Sequence, residues 1–149
     1  MIKKISKNTK ETEKIAKEFS QTLVNSRSKK SATVICLHGD LGTGKTAFSQ
    51  FVAKNLGVKR KVNSPTFVIM KRYDLKHKNF KSLFHLDAYR LKNHKELLVL
   101  GWEEIISKPE NLILIEWPEQ VINAMPKKHH KIYIYHIKEG HRIFKIKKA

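Results

Sequence analysis

An α/β fold, with strands and helices alternating around one sheet, is predicted for this 149-residue chain by three adjoining features. An apolar run, Ala32 to His38, carries the β-branched Thr33, Val34 and Ile35 and reads as a buried strand. A glycine-rich turn follows it directly, from Gly39 to Gly44. Beyond the turn, Phe48, Phe51, Val52 and Leu56 recur on one face of a helix from about Lys45 to Leu56, which Gly57 stops.

The other elements follow in chain order. Ser6, Asn8 and Thr9 are candidate caps for a helix whose apolar positions are Ile15, Phe19 and Leu23 and which ends near Asn25. Ser26 to Ser31 is a polar loop. After the second helix comes a turn at Asn63-Ser64-Pro65, then an extended segment from Thr66 to Tyr73. With the strand Ser82 to Asp87, across the polar loop Asp74 to Lys81, that segment reads as a hairpin. Glu96 to Ser107 is helical but broken at Gly101. Asn111 to Trp117, the most apolar run, is expected to be a central strand. Lys131 to Lys147 alternates about Lys138-Glu139-Gly140 as a second hairpin. With no internal repeat, residues 1–149 are expected to form a single domain.

Composition narrows the setting more than the chemistry. No apolar stretch approaches the ~18 residues of a membrane helix, and Met1 to Lys10 lacks the apolar core of a signal peptide. The single cysteine, Cys36, forms no internal disulfide and reads as a buried strand residue, so a soluble cytoplasmic protein is expected. The net charge of +18 draws phosphate-rich polymers. Lysine far outnumbers arginine, however, and is scattered along the chain; arginine is the better reader of phosphates and bases. The charge alone therefore does not define a function.

The turn is the sharpest chemical signal. Gly39-Asp40-Leu41-Gly42-Thr43-Gly44-Lys45-Thr46 fits the phosphate-binding pattern G-x-x-x-x-G-K-[S/T] at every fixed position, between the strand and helix that such a loop requires. Its glycines allow successive backbone N–H groups to converge on phosphate oxygens, and the helix behind adds the positive end of its dipole. Lys45 then faces the β- and γ-phosphates, and the Thr46 hydroxyl suits Mg²⁺. Such a site calls for a further acid at a strand end. Asp87 and Glu116 each end an apolar run, and both are expected near the metal; taken singly, either is equally a solvated strand-end acid. Thr66, on a loop after the second helix, lies where nucleotide switches sense the γ-phosphate, although Ser64-Pro65-Thr66 also suits an ordinary turn.

Together with the phosphate loop, Asn63-Ser-Pro-Thr-Phe67, His85-Leu-Asp-Ala-Tyr-Arg-Leu91, Leu100-Gly101 and Glu116-Trp-Pro-Glu119 stand in an order and spacing that resembles the TsaE family over roughly residues 8 to 135. The resemblance implies a P-loop NTPase-like three-layer α/β fold with a mixed parallel and antiparallel central sheet. It implies a small ATPase that binds ATP and Mg²⁺ and serves threonylcarbamoyladenosine modification of tRNA at adenosine 37. It implies association with TsaB and TsaD, which carry the transfer itself, and leaves contact with tRNA open, direct or indirect. Carried over by motif, Leu41, Gly42, Thr43, Gly44, Lys45 and Thr46 hold phosphates, Thr46 and Glu116 serve the metal, and Asp87 is the Walker-B-like acid. Thr66 belongs to the switch segment, and Thr9 to Thr12 lie where the family approaches adenine. Thr43 stands where alanine is more usual, and the tail after Lys138 follows no family motif.

Hydrolysis is expected to be slow without partners, since no catalytic glutamine or arginine finger follows the switch segment. Arg90 faces either the γ-phosphate, a partner or a surface carboxylate. Three rival readings are weaker. A metabolite kinase lacks an arginine-rich lid here, and a GTPase lacks an Asn-Lys-x-Asp motif. An RNA-binding module gated by nucleotide rests on charge alone, with Tyr133 and Tyr135 read as packing or hairpin residues.

Overall fold

The computed structural model describes residues 1–149. Seven strands form one sheet: β1 (Ile2–Ser6), β2 (Thr33–His38), β3 (Met70–Asp74), β4 (Ser82–Asp87), β5 (Asn111–Glu116), β6 (His130–Lys138) and β7 (His141–Lys147). Their order across the sheet is β1-β7-β6-β2-β5-β4-β3. β2 runs parallel to β5 and β6, and β4 parallel to β5, while β1–β7, β6–β7 and β3–β4 are antiparallel. The mixed sheet is thus a parallel centre with an antiparallel hairpin on each flank, and both hairpins lie where the sequence predicts them.

Helices α1 (Thr9–Asn25) and α2 (Lys45–Asn55) cover one face. Ile15, Phe19 and Leu23 of α1 and Phe48 and Val52 of α2 pack there on Leu37, Leu114, Ile132 and Phe144. α3 (His94–Val99), α4 (Trp102–Ser107) and a 3₁₀ segment, Pro118–Ala124, cover the other. Leu97, Trp102 and Val121 pack on Val34, Cys36, Phe84, Ile113 and Ile115. This second core draws on β2, β4 and β5 and on no residue of β6, β7 or β1. Accordingly β2, β4 and β5 are buried at every position, with their polar residues mostly at the strand ends, whereas β6 and β7 are buried at alternate positions at most. No helix is long and apolar enough to cross a membrane.

Several local outcomes have plain causes. Asn8 is the cap of α1, its side chain accepting from the Glu11 N–H at 2.9 Å. The helix predicted over Glu96 to Ser107 is two short helices joined at Gly101, and the Trp102 indole donates to Ala124 O at 2.9 Å. Cys36 is buried and free, and burial pushes its thiol up to about 12. Two expectations change. Thr66 to Ile69 is a tight turn instead of extended chain, because the Val68 and Ile69 N–H groups both donate to Pro65 O, at 3.1 and 2.7 Å. The strand begins only at Met70. β1 has no counterpart in the sequence reading: Ile2-Lys-Lys-Ile5 has no clean alternation, and pairing with β7 makes it a strand.

His130 gives the fold a pH dependence. It is buried against Phe19, ring centroids 5.8 Å apart, and burial lowers its pKa from 6.5 to about 4, with nearby Lys148 and His129 adding to the effect. Between those values the unfolded chain holds a proton on this imidazole that the folded chain lacks, so stability falls as pH falls through that window. Thermal melts should give a lower midpoint at pH 5 than at pH 7, and His130→Phe should shrink that difference. An unchanged difference would exclude His130 as its source.

Candidate functional site

The site forms at the carboxyl ends of β2, β4 and β5, where parallel strands deliver their following residues to one edge. β2 runs straight into the loop 39–44. Gly39 is required there: a Cβ would stand 2.6 Å from Ile134 O and 2.6 Å from the Thr43 hydroxyl. Gly44, at φ 101°, turns the chain into α2 in a left-handed conformation that glycine adopts without strain. Thr43 uses its hydroxyl within the loop, donating to Asp40 O at 2.9 Å. Leu41, at the loop tip, is exposed.

Lys45 opens α2 and folds back along the loop. Its Nζ donates to Gly39 O at 2.6 Å and Asp40 O at 2.9 Å, and lies 4.1 Å from the Trp117 ring centroid. Burial pulls the ammonium below its usual pKa, and the carboxylates of Glu116, Glu119, Asp87 and Asp40 oppose this without cancelling it. The ammonium is thus fixed and poorly solvated at the base of the loop.

The two strand-end acids are register partners on adjacent strands, yet their surroundings differ. Glu116 is buried and faces α2. The Thr46 hydroxyl donates to its Oε2 at 3.0 Å, the Ser49 hydroxyl reaches Oε1 at 3.5 Å, and His85 Nε2 meets Oε1 at 2.8 Å. Asp87 instead organises the turn at 66–69. Its Oδ2 accepts from the Thr66 hydroxyl at 2.9 Å and its Oδ1 from the Tyr89 N–H at 2.9 Å. Thr66 in turn shares a 2.7 Å hydrogen bond with Ser64. Both acids stand at the edge the sequence assigns them. Glu116 touches the loop helix, and Asp87 touches the switch segment. Arg90 lies with its guanidinium 4.7 Å from the ring of the exposed Phe67.

Directly after β5, Trp117 is held at φ 59°, a conformation that non-glycine residues rarely adopt. Glu116 reaches Thr46, while the Trp117 ring lies against the Lys45 ammonium. Glu119, two residues on, meets His38 Nδ1 at 2.5 Å. Burial alone would raise the Glu119 carboxyl, but the His38 hydrogen bond and nearby charges hold it below the usual range.

Thr9 and Thr12 lie beside the loop, together with Phe51, Gly140 and Arg142, around a cavity of about 330 Å³. The Arg142 Nε donates to Thr43 O at 2.9 Å, so the C-terminal hairpin braces the loop from the far end of the chain. The sequence reading did not include His85, Ser49, His38, Glu119 or Arg142 as site residues. His85 is a polar residue between the apolar Phe84 and Leu86, two positions before Asp87 and so on the same face; that was a usable signal. Arg142 lies 99 residues from Thr43, and no local pattern could have joined them.

A family model described as threonylcarbamoyl adenosine biosynthesis protein TsaE matches residues 6–144. The chain belongs to the TsaE family. Among proteins named tRNA threonylcarbamoyladenosine biosynthesis protein TsaE, one from Rickettsia felis is 41% identical over 116 residues, covering 77% of this chain and 61% of its own length. One from Rickettsia typhi is 36% identical and covers 93% of this chain and 90% of itself. One from Bacillus subtilis is 35% identical and covers 85% and 73%. The crystal structure of Bacillus subtilis YdiB superposes with a TM-score of 0.73 at 29% identity, over 96% of this chain and 82% of that one. Membership ties this chain to threonylcarbamoyladenosine biosynthesis. The family match ends at Phe144, so Arg142 lies just inside it.

Proposed function

We propose that this chain binds ATP with Mg²⁺ in the loop 39–46 and hydrolyses it slowly, as a nucleotide switch on the complex that modifies tRNA. The observation that carries the reading is the Thr46 hydroxyl and Glu116 carboxylate 3.0 Å apart at the foot of a loop whose Gly39 leaves no room for a side chain. The donor set suits the metal. Mg²⁺ prefers hard oxygen ligands and usually takes one or two from protein, the rest from phosphate and water. Thr46 and Glu116 would hold it, with Asp87 on the neighbouring strand end, and it would neutralise charge on the phosphates.

The chain's own residues account for the remaining roles. Loop N–H groups from Leu41 to Thr46 donate to phosphate oxygens, and Lys45 Nζ exchanges its two carbonyl partners for β- and γ-oxygens. Glu116, aligned by His85 and Ser49, orients the attacking water. Thr66, tied to Asp87, reports the γ-phosphate to the turn 66–69 and to the exposed Phe67 beside it. The cavity edged by Thr9, Thr12 and Arg142 receives the base and ribose. The family resemblance supports adenine as that base and TsaB and TsaD as partners. The lack of a catalytic glutamine or arginine finger after the switch segment supports their accelerating hydrolysis, and the single buried cysteine supports a cytoplasmic setting.

Titration calorimetry with ATP and Mg²⁺ tests the nucleotide part; one binding event is expected, and a folded sample giving no heat overturns it. Turnover measured with and without the TsaB–TsaD pair tests the switch. Slow hydrolysis that the pair accelerates is expected, whereas fast turnover indifferent to the pair overturns it.

A further inference from the structure

The side of β6, β7 and β1 that faces away from α1 and α2 carries no helix, and its residues fall into cross-strand rows. One row is Tyr135, Ile143 and Ile5; the next is Tyr133, Lys145 and Lys3; Lys131 and Lys147 form a third. Tyr135 is 44% exposed and Ile5 53% exposed. The Lys145 Nζ stands 5.3 Å from the Tyr135 ring centroid. None of these strand positions bears a carboxylate. At the inner margin Glu119 is engaged by His38, whose ring stacks on Tyr133 at 4.5 Å.

We infer that this bare sheet face binds single-stranded RNA, with Lys3, Lys131, Lys145 and Lys147 on phosphates and Tyr135, bordered by Tyr133, as the stacking platform. Three observations select this occupant. The four ammonium groups without a matching acid favour a polyanion. An acidic protein surface would satisfy the lysines but would leave the tyrosine unexplained, while an exposed tyrosine between lysines offers a base the π-face it needs. Duplex RNA keeps its bases stacked inside, so an aromatic ring on a sheet suits unpaired nucleotides in loops or ends. With lysines as point charges and no arginine fork on the face, recognition is tolerant of base identity. A plain solvated sheet face would share the lysines but would not distinguish single strands from duplexes. The inference does not depend on the nucleotide reading, since none of the face residues supplies a phosphate donor of the loop.

Fluorescence anisotropy with a labelled single-stranded RNA of about 12 nucleotides, on the full chain without nucleotide, is the test. Salt-dependent binding is expected. Tyr135→Ala should weaken it on the order of tenfold, and Lys145→Gln should lower the salt slope by about 0.7. Circular dichroism checks the fold of each variant. Lys59→Gln and Lys61→Gln, which remove the same charge beyond α2, should change affinity little. The inference is overturned by no binding, by a duplex or polyglutamate bound as tightly as the single strand, or by equal losses from the control and face lysines. It is also overturned if Tyr135→Ala binds as the native chain does.

Discussion

Replacing Lys45 with alanine should weaken ATP binding by about a hundredfold or more while leaving the chain folded. The ammonium makes two short hydrogen bonds to loop carbonyls, and in the proposed complex it moves to phosphate oxygens instead. Charged hydrogen bonds are worth roughly 1.5–3 kcal/mol each, so losing two corresponds to a factor of roughly a hundred to twenty thousand. The fold should lose little. The charge is already disfavoured by burial, and its hydrogen-bond partners are two loop carbonyls, so removing it strands no paired carboxylate. Calorimetry against ATP and Mg²⁺, with a thermal melt of the free variant, separates the two effects. A variant that binds ATP within a fewfold of native would show that the loop amides suffice and that Lys45 has another role.

Glu116→Gln should cut ATP turnover by two or more orders of magnitude while altering ATP affinity only a fewfold. The amide keeps the carboxylate's size and can still accept from Thr46, but it loses the charge and the basicity that align a water. The converse result, an unchanged turnover number with a raised KM, would confine Glu116 to binding the metal and nucleotide. Asp87→Asn should have the smaller effect, because Asp87 acts through Thr66 and the turn instead of through the loop helix. Single-turnover measurements, which separate chemistry from product release, decide between these readings.

Much of this site was legible in the sequence because its signals are local. A strand, a glycine-rich turn and an amphipathic helix within 25 residues, Thr33 to Gly57, fix the loop without reference to the rest of the chain. Asp87 and Glu116 were legible as strand-end acids for the same reason. What sequence could not assign was their division of labour, which depends on how α2 sits over β5 and how the 66–69 turn closes on Pro65. The Thr66 to Ile69 turn escaped notice because its β-branched residues suit a strand, while Pro65 supplies a carbonyl that captures two amides. β1 was invisible because an edge strand is defined by its neighbour as much as by its own residues. Arg142 and the uncovered face arise from pairings between the two ends of the chain, which no short pattern encodes.

His38 is the last residue of β2, so the ring that rests on Tyr133 belongs to the residue immediately ahead of Gly39. One backbone step therefore joins the bare face to the nucleotide loop. If both ligands bind and either one displaces this step, the free energies are reciprocal: whatever factor ATP imposes on RNA affinity, RNA must impose on ATP affinity. Measuring both constants closes that thermodynamic cycle, and His38→Ala should bring the shared factor toward one.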